Sequence, residues 1–184
     1  ELKAVCIDQL TNPKTRYRYK EVCKKIVDEF DDFKIDESLK KPRVGIVGEI
    51  LVKYMPLANN HLVELLEREG AEAVVPDLMD FLLYSSYNGK YKAEFLGGKK
   101  SEAMFSDVAV KAINLIRKPA LEALKASRRF DAPLPIEQIG ELAKPFLSLG
   151  NQYGEGWFLT GEMAELLTSG TPNIVCIQPF ACLP

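Results

Sequence analysis

Arg43-Val44-Gly45-Ile46-Val47-Gly48-Glu49 is the stretch from which the fold is read. Val44, Ile46 and Val47 make a short apolar run between Pro42 and Gly48, the length and flanks of a buried strand. Downstream, Asn59 and Asn60 stand as alternative N-caps for a helix marked by Leu62, Leu65 and Leu66 and stopped at Gly70. Ala73-Val74-Val75 is a second short strand, closed by Pro76. Strand, helix and strand within about 30 residues form a βαβ unit, which predicts parallel strands and a right-handed crossover.

On the N-terminal side, Tyr19, Val22, Cys23, Ile26, Val27 and Phe30 recur at helical spacing and predict an amphipathic helix, with Lys40-Lys41-Pro42 as a linker. On the C-terminal side, residues 77–150 read as mostly helical. Tyr84, Tyr87, Tyr91 and Phe95 lie on one helix face, as do Met104, Val108, Ala112, Leu115 and Ile116. Pro119 is expected to open a new helix, because proline is tolerated at a first helical position. A further helix from Ile136 is kinked or ended by Pro145. Trp157, Met163, Leu166 and Leu167 mark a helix that stops at Gly170, and Asn173 to Gln178 is a buried-strand pattern broken by Pro179. The predicted class is α/β: a Rossmann-like parallel sheet with helices on both faces and a helical insertion. Residues 1–42 form an N-terminal helical and linker segment. Residues 43–184 form the α/β domain, with the insertion at about 77–150.

The composition is that of an ordinary soluble globular protein, 47% hydrophobic and 27% charged, which excludes a disordered tail, a collagen-like repeat or a coiled coil. No apolar run approaches the ~20 residues that cross a bilayer, so no membrane partner is expected. A net charge of −2 does not mark a nucleic-acid binder. Four cysteines without a CxxC pair point to a reducing, cytoplasmic setting. Glu1 in place of an initiator methionine, and a stop two residues after Cys182, lead to the expectation of a piece of a longer chain.

Several motifs carry candidate chemistry. Gly48 closes the first strand at its carboxyl end, where open parallel sheets bind ligands. Gly48, Glu49, Asn59 and Asn60 are therefore expected to floor a cleft, with Glu155 and Glu162 on its opposite wall. Converging carboxylates and amides suit a polar ligand or a cation. Gly97-Gly98-Lys99-Lys100-Ser101 is rejected as a phosphate loop: Ala93 stands where the first glycine belongs, and Lys100 where Ser or Thr belongs. His61, the single histidine, has no GxSxG serine to partner it. Cys23 and Cys176 are read as packed core residues, and Cys6 is ambiguous. Cys182, in the loop beyond Pro179, is read as solvent-facing or as an iron–sulfur ligand.

Three stretches together are more specific than any alone: Lys41 to Ile50; Leu57-Ala58-Asn59-Asn60; and Gly154-Glu155-Gly156-Trp157 through Thr160-Gly161-Glu162-Met163. These lead into Asn173-Ile174-Val175-Cys176-Ile177-Gln178-Pro179-Phe180-Ala181-Cys182-Leu183-Pro184. Over about residues 40–184 the chain resembles the 2-hydroxyglutaryl-CoA dehydratase activase-related proteins of anaerobic bacteria. The resemblance implies an iron–sulfur electron-transfer system acting on 2-hydroxyacyl-CoA thioesters. It also implies a [4Fe–4S] cluster in the full-length protein, none in this piece alone, and Cys182 as a candidate ligand. The implied partners are the remainder of the chain's own multidomain protein, an ATP-dependent activase domain and an acyl-CoA dehydratase. The activase ATPase motifs are missing, so this piece is not expected to hydrolyse ATP alone. Ala181 replaces the family's usual glycine. The competing reading is a non-catalytic small-molecule-binding or interaction domain of the same larger protein. A stand-alone hydrolase or nucleotide enzyme fares worst, since its residues are absent.

Overall fold

The computed structural model describes residues 4, 7–8, 11–14 and 18–182 of the 184. It contains helix α1 (Tyr19–Asp32), strand β1 (Arg43–Gly48), helices α2 (Ile50–Tyr54) and α3 (Leu62–Arg68), strand β2 (Glu72–Val74), helices α4 (Leu78–Phe95), α5 (Lys100–Lys125), α6 (Ile136–Ala143) and α7 (Gly156–Thr168), and strand β3 (Asn173–Ile177). The chain divides into two compact units. One combines Glu1–Glu37 with Lys111–Pro133, and the other combines Ser38–Val110 with Leu134–Pro184.

The second unit holds the sheet. All three expected strands form, in the order β2-β1-β3, and both pairings are parallel. β1 is the central and most buried of the three: Ile46 is 1% and Val47 0% exposed. Helix α7 lies against β1 and carries the core. Trp157, Phe158 and Leu166 are buried, and Gly45 leaves room for Leu166, whose Cδ1 would come within 2.7 Å of a Cβ there. α6 seats just as closely on α7, where a Cβ at Gly161 would fall 2.6 Å from Ile139 Cγ2. Tyr84 of α4 completes an aromatic cluster, its ring 5.1 Å from Trp157 and 5.2 Å from Phe158. The Trp157 indole donates to Asn88 Oδ1 at 2.9 Å, so the one polar atom of this side chain is satisfied in the interior.

The first unit is smaller and more polar. The predicted stripe of α1 is only half-buried, and no α1 residue is fully buried. The carbonyls at the end of α1 are orphans of any helix terminus. Arg129 Nη1 donates to Phe30 O at 2.9 Å and to Phe33 O at 2.6 Å, while Asp31 accepts from Ser127 Oγ at 2.7 Å.

Two sequence expectations, on Pro119 and on Cys176, are corrected. Pro119 does not begin a helix but sits inside α5. Its missing N–H frees the carbonyl of Leu115, a residue 72% exposed, so water can take the bond. Met104, Val108, Ala112, Leu115 and Ile116 share a face of this helix, as their spacing predicts, and that face is exposed, with Met104 at 67%. Cys176 is exposed as well. β3 pairs on one side only among the described residues, and none of its residues is fully buried. Cys6 lies outside the described residues. Among these residues, no helix is long and apolar enough to cross a membrane.

Candidate functional site

The order β2-β1-β3 means that the chain leaves β1 toward one neighbour and later returns on the other side. The crevice at such a reversal, outside the carboxyl ends of the strands, is where open parallel sheets place ligands. Here that edge is built by the β1–α2 turn, the start of α7 and the segment after β3. Glu49 N donates to Ile177 O at 3.0 Å, tying the ends of β1 and β3 together. Gly48 makes this closure possible. Its φ is 137°, and a Cβ would fall 1.9 Å from Ile177 O.

The structure brings most of the predicted pocket residues around α2. Glu49 caps this helix, its Oε2 accepting from Val52 N at 2.9 Å. Glu155, only 4% exposed, does not cap its own helix: its Oε1 accepts from Ile50 N at 2.9 Å, beside Glu49. The second oxygen, Glu155 Oε2, is buried without a hydrogen-bond partner, as is Gln178 Oε1 beyond β3. Asn59 donates from Nδ2 to Val52 O at 2.9 Å and accepts from Leu62 N at 3.1 Å, so it clamps the end of α2 and caps α3. Asn60 does not join them. It is exposed, with a φ of 55°, and His61 beside it shares that φ and makes only an exposed contact to Glu64.

Glu162 lies two turns along α7 from Glu155 and is 1% exposed. It forms a bidentate ion pair with Lys53, at 2.7 and 3.0 Å from Nζ. Burial is the main reason its pKa is pushed up to about 7; Lys53 opposes the rise, while Asp80 and Glu165 add to it. Asp80 is 3% exposed, so a second buried carboxylate adds its charge to that of Glu162. Burial likewise raises the Tyr54 phenol, and Glu162, Asp77 and Asp80 raise it further. The Tyr54 hydroxyl donates to Pro76 O.

Sequence reasoning missed Lys53, Tyr54 and Asp80. A lysine reads as surface by default, and in Ile50-Leu51-Val52-Lys53-Tyr54-Met55 nothing local sets it inside or outside. The readable signal was its partner: Glu162 falls inside Trp157-Phe158-Leu159-Thr160-Gly161-Glu162-Met163-Ala164, a helix apolar on almost every side. A carboxylate there must be paired.

A cleft of about 550 Å³ adjoins the Gly154-Glu155-Gly156 turn, lined in part by Asn151, Gln152, Tyr153 and Thr160. None of the six predicted pocket residues lines it. The turn is pinned by the Tyr84 hydroxyl, which donates to Gln152 O at 3.0 Å and to Gly154 O at 3.1 Å. Gly156 has a φ of 48°, and a Cβ there would meet Asn151 O at 2.1 Å.

Beyond β3, Pro179 to Cys182 make a turn closed by Cys182 N donating to Pro179 O at 3.0 Å. Cys182 is half-buried. Ala181 has a φ of 65°, the left-handed region that favours glycine, so this turn holds a strained alanine. Among the described residues no three His, Cys, Asp or Glu side chains come together as a metal site. No family model matches the chain, and neither a curated protein nor a solved structure does.

Proposed function

We propose that this chain is a Rossmann-like domain, with helices on both sheet faces and residues 77–150 as a helical insertion, within a cytoplasmic iron–sulfur protein of 2-hydroxyacyl-CoA metabolism. The observation that carries the reading is the position of Cys182, in a tight turn just past the carboxyl end of β3, next to the β1–β3 reversal. Its half-exposed thiol fits one corner of a [4Fe–4S] cluster, and exposed Cys176 is the only other thiol described on that strand. A cluster needs about four such ligands, so the others come from the remainder of the chain's own protein or from a partner. When bound, the cluster supplies a low-potential electron. This chain's own residues hold the thiolate and shape the edge beside it. An ATP-dependent activase domain and an acyl-CoA dehydratase are the partners this role calls for.

The measurement is iron and acid-labile sulfide per chain in the anaerobically purified full-length protein, wild type against Cys182→Ala. The reading expects the variant to lose most of its iron and sulfide while keeping its circular dichroism. Unchanged iron and sulfide would remove Cys182 as a ligand.

The second reading is a non-catalytic domain that binds a small polar ligand at the same edge. The unpartnered Glu155 Oε2 and Gln178 Oε1 favour it, because buried acceptors without donors suit a ligand that presents N–H or O–H groups.

A further inference from the structure

The geometry points to α2 as a releasable latch over the β1–β3 edge, held shut by polar ties rather than by apolar packing. Its sole buried residue is a lysine, Lys53. Leu51, the helix's other long aliphatic side chain besides half-buried Ile50, is 60% exposed, and Met55 just beyond is 45% exposed. Val52 and Tyr54 are only half-buried. A helix of five residues has no stability of its own, so whatever fixes α2 must be tertiary.

Besides the Asn59 clamp from the adjoining turn, three ties fix it to the rest of its unit. Ile50 N donates to Glu155 Oε1, Lys53 Nζ to both oxygens of Glu162, and the Tyr54 hydroxyl to Pro76 O. Both acidic anchors sit on α7, the most buried helix, which therefore serves as a fixed wall. Hinges are present at each end: Gly48 on one side, and on the other Pro56, which lacks an amide to continue the helix. A segment with few apolar contacts and a handful of hydrogen bonds opens at a lower free energy than the core around it. Opening swings Lys53 away from Glu162 and uncovers Glu155 with its unpartnered oxygen. The inference rests on these contacts alone and stands whether or not Cys182 holds a cluster.

Native-state hydrogen exchange on this chain tests it, reading amides 50–55 against those of β1 and α7. In the wild type, amides 50–55 should exchange at least about 100-fold faster than β1. Lys53→Met removes one partner of a buried pair and should speed them at least about tenfold more. Lys53→Met with Glu162→Leu replaces the tie by apolar contact and should slow them at least about tenfold below the wild type. Protection of amides 50–55 equal to that of β1 in the wild type overturns the latch. So does a double variant that exchanges no more slowly than the wild type. If Lys53→Met alone does not fold, as judged by circular dichroism, the wild type and the double variant decide.

Discussion

Gly48 carries more of the architecture than its size suggests, because its positive φ lets Glu49 N reach Ile177 O where any side chain would collide with that carbonyl. Gly48→Ala should therefore lower unfolding free energy in urea by about 3 kcal/mol or more, by parting β1 from β3 and straining the backbone. Gly70, whose Cβ would meet nothing within 4 Å, is the control: with a φ of 90° it carries the backbone cost of alanine without the collision. Glu162 makes a second prediction through linkage. Its folded pKa, about 7, lies above the ordinary value of 4.5, so the folded state holds the proton more tightly than the unfolded state does. The stability this contributes is complete below about 4.5 and is lost as pH rises through about 7. Glu165, raised by its burial, pushes in the same direction. Urea midpoints measured from pH 5 to pH 8 should fall for the wild type and flatten for Glu162→Gln. An equal slope in both proteins would place the titration elsewhere.

Among the elements, β1, β2 and β3 were legible because short apolar runs bounded by Pro and Gly have few alternative meanings, and their parallel pairing followed from the helix between the first two. α5 was only half legible. Its apolar spacing correctly marks one helix face, yet periodicity does not reveal whether a face is covered, and this one is exposed. Pro119 read as a start, whereas the helix runs on for six further residues, because the carbonyl it frees belongs to exposed Leu115 and water can satisfy it. Pro119→Ala should restore an intrahelical bond and raise stability by about 1–3 kcal/mol in thermal or urea unfolding. A variant no more stable than the wild type would mean that the freed Leu115 carbonyl is already fully satisfied. The pocket residues divide on the same ground. Gly48, Glu49, Asn59 and Glu155 gather around α2, since their positions follow from strand ends and helix starts. Asn60, one residue from Asn59, points to solvent because the backbone turns left-handed there. Lys53 was not legible locally, since its burial depends on Glu162, a partner far away in sequence.

At the scale of the molecule, the parallel sheet brings three separate stretches of chain to one edge: the turn after β1, the start of α7 and the segment after β3. Gly48 and Glu49 come from the first of these stretches, Glu155 from the second and Cys182 from the third, so residues far apart in sequence share one edge of the sheet. Cys176 shows where that reasoning stopped short. A buried strand was inferred from Ile174-Val175-Cys176-Ile177, but β3 is bonded on one side only among the described residues, and Cys176 is exposed. The most direct test of the central claim is therefore thiol labelling at Cys182 in the native protein before and after anaerobic reconstitution with iron and sulfide, with Cys23 as the internal control. Cys182 should label before reconstitution and be protected afterwards, with the rate at Cys23 unchanged. Labelling of Cys182 at the same rate in both states would contradict it.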